Sequence, residues 1–231
     1  MAIEFDGNDQ RISIGDVAYT KTPPFTVAFW VKFNSLVSAG LVTKYAVASW
    51  NGFNVFQQSS HILAWFLRDG NNYVAIAAEG GVGEISGYPV EAGMWYHIAV
   101  TVECATPGMK MYAGGSLYTT ANWVGICGDT TESSPLVFGN YSVRYLDGLL
   151  DDIAIWDVAL TQNEINSLAK SKRRLPLSVR GDHIVGYWRL DGPNGAVAAG
   201  ANSVLDLSGN GNHGTPYNDP VYRGSILTYP E

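Results

Sequence analysis

Asp151 and Asp152 stand directly before Ile153-Ala154-Ile155-Trp156, a run that reads as a buried strand. A buried carboxylate without a partner costs several kcal/mol. The pair therefore implies a bound cation, an internal salt bridge, a catalytic acid pair or a solvated strand end. Strand alternation puts Asp151 on the face of Ile153 and Ile155, and Asp152 on that of Ala154 and Trp156. His61, His97 and tyrosines could serve as bases, but His97 lies within "WYHIAV" and reads as a core histidine. Cys104 and Cys127 could form one bridge, but they make no metal-ligand spacing and no CxxC motif, and two cysteines are too few for a disulfide framework, so free buried thiols are the preferred reading. No G-x-S-x-G occurs, and "GGVG" (80–83) and "GNGNHG" (209–214) lack the lysine and strand-to-helix setting of a phosphate loop.

Binding chemistry remains. Tyr45, Trp50, Trp123, Tyr141 and Tyr145 fall at expected turns or strand ends, where aromatic rings form platforms for sugars. Asn71, Asn72, Asn122, Asn140 and Arg144 could add polar contacts, while the plain alternative is rings that cap the core. Trp30, Trp65, Trp95 and Trp156 sit within apolar strands and are assigned to the core.

The elements that position these residues are strands. With 46% hydrophobic but only 15% charged residues, 26 glycines and 10 prolines, the chain suits a β protein with closely spaced turns. Ten strands are expected within 2–5, 11–15, 25–33, 52–58, 61–69, 73–79, 95–103, 110–115, 135–140 and 151–157. One helix is expected from the capping box Thr161-x-x-Glu164, with Ile165, Leu168 and Ala169 as its apolar face. The cluster Lys170-Ser-Lys172-Arg173-Arg174 then reads as a helix C-terminal charge cluster. A net charge of −7 argues against nucleic acid or an anionic membrane as the main partner. No apolar run reaches the roughly 18 residues of a membrane span, and "MAIEFDG" is not a signal peptide.

"IEFDGNDQRISI" (3–14), "FTVAFWVKF" (25–33), "WYHIAVTVE" (95–103) and "LDGLLDDIAIWDVALTQNEI" (146–165) resemble the signature segments of laminin-G-like domains. These belong to the concanavalin A-like lectin/glucanase superfamily. The resemblance implies an all-β, antiparallel two-sheet jelly-roll sandwich over 1–174, with one short helix and an irregular C-terminal extension, 175–231, packed on it. It also implies a structural Ca²⁺ held by Asp151 with help from Asp6, with "ASWNGF" (48–53) supplying carbonyls; two carboxylates plus carbonyls and waters would meet calcium's demand for six to eight oxygens. Glycanases on this sandwich carry a Glu-x-Asp-x-(x)-Glu strand. The nearest approximations here are Glu4/Asp6, in the opening strand, and Glu79/Glu84, split by Gly80-Gly81, so an enzyme is not expected.

"VGYWRLDG…VLDLSGNGNHGT…YRGSILTYP" is similar to C-terminal extensions of phage and environmental viral proteins, and also to the lead-in of a laminin-G-like domain. The expectation is a non-catalytic phage or viral surface protein, a capsid decoration or tail-associated part, showing loops to glycans or cell surfaces. It would contact other virion proteins and could self-associate. The alternative is a free carbohydrate-binding lectin or adhesion module. Either places it on a virion or otherwise outside the cell.

Overall fold

The computed structural model describes residues 1–17, 21–46, 50–76, 87–170 and 176–224. Glu79, Glu84, the basic residues 172–174 and residues 225–231 lie outside them. The strands begin with β1 (Ala2–Asp6), β2 (Arg11–Gly15), β3 (Phe25–Phe33), β4 (Ala39–Ala46), β5 (Asn51–Gln58) and β6 (His61–Leu67). Next come β7 (Tyr73–Ile76), β8 (Tyr88–Pro89), β9 (Trp95–Val102), β10 (Met109–Ala113), β11 (Ser116–Ala121) and β12 (Leu136–Phe138). They are followed by β13 (Asn140–Tyr141), β14 (Arg144–Tyr145), β15 (Asp147–Trp156) and helix α1 (Gln162–Lys170). The last three are β16 (Ile184–Trp188), β17 (Thr215–Tyr217) and β18 (Val221–Arg223).

Two antiparallel sheets face each other. The first runs β11-β10-β9-β3-β15-β1-β18, with β16 also paired to β15; the second runs β17-β2-β12-β4-β5-β6-β7, with β8 on β6. Alternation turns Phe25, Phe29, Phe33, Phe53, Phe66 and Phe138 into the space between them. On the outside of the first sheet, Ala28, Ala99 and Ala154 stand in one register row and join a second cluster with Ile165 and Leu168 of α1. Small side chains there leave room for the helix. Its start is the expected capping box, with Thr161 N donating to Glu164 Oε2 at 2.7 Å and Glu164 N to Thr161 Oγ1 at 3.4 Å.

The C-terminal residues contribute strands to both sheets, β16 and β18 to the first and β17 to the second. The Gly/Asn-rich stretch between β16 and β17 is an ordered loop tied to β16 by side chains. Asp206 accepts from Tyr187 N, Ser208 N and Asn212 N, and Asn210 and Asn212 donate to carbonyls of β16.

Cys104 and Cys127 form a disulfide, which corrects the expectation of free thiols. The loop from β11 to β12 returns along the β7 edge, where Val124 bridges Tyr73 and Ile126 N donates to Asn72 Oδ1 at 2.8 Å, bringing Cys127 to the end of β9. A loop closed across 23 positions gives about 3 kcal/mol of chain-entropy stabilisation. Reduction, or the double substitution Cys104→Ser/Cys127→Ser, is expected to lower the melting temperature by roughly 6–12 °C. Thermal unfolding with and without reductant measures this; a change below about 2 °C would contradict it.

Candidate functional site

The register of the second sheet decides which rings face outward. Thr43 pairs with Asn54 and Asn54 with Trp65, while Val42, Val55 and Ala64 in the adjacent row point inward. Tyr45, Asn54, Phe56 and Trp65 therefore share the outer face. Against it lies the β13–β14 hairpin, whose two-residue turn is made by Ser142 at φ 58 and Val143. Gly40 permits this approach: a Cβ there would sit 2.3–2.5 Å from backbone atoms of Asn140 and Tyr141.

The result is a cluster of four rings. Centroids of Tyr45, Trp65 and Tyr141 are 5.7–6.0 Å apart, and Phe56 lies 4.3 Å from Trp65 and 6.3 Å from Tyr141. These are separations of rings packed on one another, so the cluster offers a ligand a surface rather than a cage. Tyr45, Trp65 and Tyr141 are each partly exposed, whereas Phe56 is buried. Arg144, opposite Tyr141 in the hairpin, places its guanidinium 6.0 Å from that ring. Beneath, Thr43 Oγ1 donates to Asn54 Oδ1 at 2.8 Å, leaving Asn54 Nδ2 and Trp65 Nε1 buried with no protein acceptor. Burial, and then the neighbouring Tyr141, push the Tyr45 hydroxyl up to about 12, so it stays protonated at neutral pH.

Of the five rings expected at the site, the structure brings Tyr45 and Tyr141 together. Tyr145 pairs with Asn140, on the hairpin face opposite Tyr141. Trp50 stands apart before β5, 63% exposed. Trp123 is an edge-of-core residue: its ring meets Phe66 at 5.8 Å and its Nε1 donates to Glu103 O at 2.9 Å. Trp65, assigned to the core from sequence, is the correction in the other direction. Asn72 and Asn140 hold their own loops, Asn72 through Asp69 and Asn140 through Ser142 O.

The acids do not converge on a cation. Asp6 pairs with Asp147 in the β1–β15 register, and Asp151 lies four residues further along β15, roughly 13 Å at strand rise. A calcium ion reaches its oxygens at about 2.3–2.6 Å, so Asp6 and Asp151 cannot share one. Among the described residues no group of three or more His, Cys, Asp or Glu is placed to hold a metal. Asp6 instead accepts from Asn8 N at 3.0 Å.

The acid pair is a β-bulge. Between Asp151 and Ala154 strand β15 carries one residue more than β3, and Asp152 takes φ 46. The bulge moves Asp151 to the face of Trp30 and Ala154, not that of the isoleucines. There it is 2% exposed, and burial first, then the charge of Asp152, push its carboxyl up to about 8. Asp152 Oδ1 accepts from Tyr187 OH at 2.6 Å. β1 and β16 flank the same edge of β15 on either side of the bulge. His97 is on this same outer side of the first sheet, its ring 5.2 Å from Trp30, and burial pushes it down to about 3.

Known proteins match this arrangement. Residues 6–166 match the laminin-G-type family model described as the concanavalin A-like lectin/glucanases superfamily. The chain is 25% identical, over 63% of its length, to the rat (Rattus norvegicus) sushi, von Willebrand factor type A, EGF and pentraxin domain-containing protein 1, and spans 4% of that protein. A heptameric SAP-like pentraxin of Limulus polyphemus superposes with a TM-score of 0.52 at 19% identity, over 75% of this chain and 84% of its own. A Bacteroides ovatus protein assigned to carbohydrate binding gives 0.61 at 17% identity, over 97% of this chain and 63% of its own. Two antiparallel sheets in this strand order, with the family match running through most of both, place the chain in the concanavalin A-like lectin/glucanases superfamily.

Proposed function

We propose that the protein is a non-catalytic glycan-binding module whose ligand lies on the Tyr45–Trp65–Tyr141 surface of the second sheet. The observation that carries this reading is the set of three partly exposed, mutually packed rings with the exposed Arg144 beside them. Sugars stack on aromatic faces and take hydrogen bonds from a few polar groups at their edges; the rings supply the first and the exposed Arg144 guanidinium the second. The likeness to a Bacteroides ovatus protein assigned to carbohydrate binding supports the ligand class. Binding without turnover is supported by the placement of the acids: the outward strand positions beside the rings are Thr43, Gly52, Leu63, Leu67 and Ala75, with no carboxylate among them. His97 lies on the opposite side of the sandwich.

The setting we propose is extracellular, supported by the Cys104–Cys127 bridge, since disulfides persist in oxidising surroundings. A virion surface, with other virion proteins as neighbours, is the narrower form of that setting and rests on the resemblance of residues 175–231 alone. A glycan array probed with the wild type and with Tyr141→Ala tests the function, alongside an assay for shortened or unsaturated products. Binding that is lost in Tyr141→Ala, with the glycan recovered intact, is the expected result. Product formation, or binding indifferent to Tyr141, would overturn it.

A further inference from the structure

We infer that Lys44 and Asp16 condense to an intramolecular amide, a covalent crosslink between β4 and the end of β2, with Glu132 carrying the proton. Pairing of Leu136 with Gly15 and of Val137 with Thr43 brings three segments to one end of the second sheet. They are the residue after β2, the residues before β12 and the last part of β4. Lys44 stands two residues beyond inward Val42 and pairs with Phe53, so its side chain enters the apolar layer and is 1% exposed. Its Nζ meets Asp16 Oδ1 at 2.5 Å and also donates to Ser134 O. Glu132 is buried on the same segment and accepts from Ser134 N. Lys21 Nζ donates to the other oxygen of Asp16 at 2.7 Å.

Each group has a part in the reaction. An amine is a nucleophile only when neutral, and burial pushes the Lys44 ammonium below the usual lysine range. Although burial works the other way on Asp16, its bonds to Lys21 and Lys44 hold that carboxyl below its usual range. The reactive form, amine beside acid, is therefore a minor one, reached by proton transfer within the pair and only in the folded chain. Lys44 Nζ then attacks Asp16 Cγ, while Lys21 faces the oxygen that gains charge. The C–N bond forms and the Cγ–Oδ1 bond breaks. The two protons lost by the ammonium leave with Oδ1 as water, one of them passed through Glu132. Asp16 is 43% exposed, which gives that water a way out.

The test is the intact mass of the wild type, reduced and unfolded after the folded protein has stood overnight. It should lie one water below the mass of the sequence, and a digest should release the segments around Asp16 and Lys44 as one branched peptide. Lys44→Arg keeps the charge without the nucleophile and should return the full mass. Glu132→Gln should slow the condensation by about 100-fold or more. Thermal unfolding checks that both variants fold. A wild type at its full mass would overturn the inference. So would a missing water that persists in Lys44→Arg, which would mark a cyclised aspartate elsewhere in the chain.

Discussion

Asp206→Ala is expected to lower the stability of the fold by about 4 kcal/mol, the largest single loss among its loop residues. Strand β16 occupies an edge of the first sheet, and its free side is covered by a loop instead of a strand. Asp206 organises that loop. Its Oδ1 accepts from Tyr187 N and Ser208 N, each at 2.9 Å, and its Oδ2 from Ser208 Oγ at 2.9 Å and Asn212 N at 3.0 Å. Leu207 N in turn donates to Tyr187 O at 2.7 Å, and Asn210 Nδ2 to Ile184 O at 2.9 Å. Alanine orphans the buried Tyr187 N–H and frees Asn212, whose carbonyl receives Trp188 Nε1 at 2.7 Å. Each orphaned buried group costs about 1–3 kcal/mol, and these fail together. The melting temperature should fall by roughly 10 °C, with Asp206→Asn intermediate because one acceptor oxygen survives. A fall under about 2 °C would mean that the loop does not hold β16.

Gly40→Ala should weaken ligand binding by on the order of 100-fold, equivalent to about 2.7 kcal/mol. The added methyl meets backbone of Asn140 and Tyr141 at 2.3–2.5 Å, so the hairpin must lift. Lifting carries Tyr141 and Arg144 away from Tyr45 and Trp65 together, whereas Tyr141→Ala removes one ring alone. Titration of the array ligand against both variants, with thermal unfolding as control, measures it. Unchanged affinity in a folded Gly40→Ala protein would show that the hairpin is no part of the site.

The sandwich was legible because most strands alternate and end at turn residues, and α1 because its capping box is local to Thr161 and Glu164. Strand β4 was missed. It opens on Ala39-Gly40, has a register shift between Gly40 and Val42, and carries Lys44, which points inward and reaches Asp16 Oδ1 at 2.5 Å. Missing β4 made Tyr45 look like a turn residue. Trp65 was misassigned because Trp65 and Phe66 are equally apolar, and only the position of the other sheet says which is inside. The facing of Asp151 was misread because a bulge resets alternation without any sequence mark of its own. The cysteine pairing depends on how a long loop returns to the end of β9, which spacing alone does not encode.

The most direct test of the binding surface uses the indole N–H signals of the seven tryptophans in a ¹⁵N-labelled sample, titrated with the ligand found on the array. Trp156 and Trp188 already donate to Val179 O and Asn212 O and serve as internal references. The Trp65 signal is expected to move and saturate with binding while those two stay fixed. A ligand that shifts Trp50 or Trp123 and leaves Trp65 in place would contradict it.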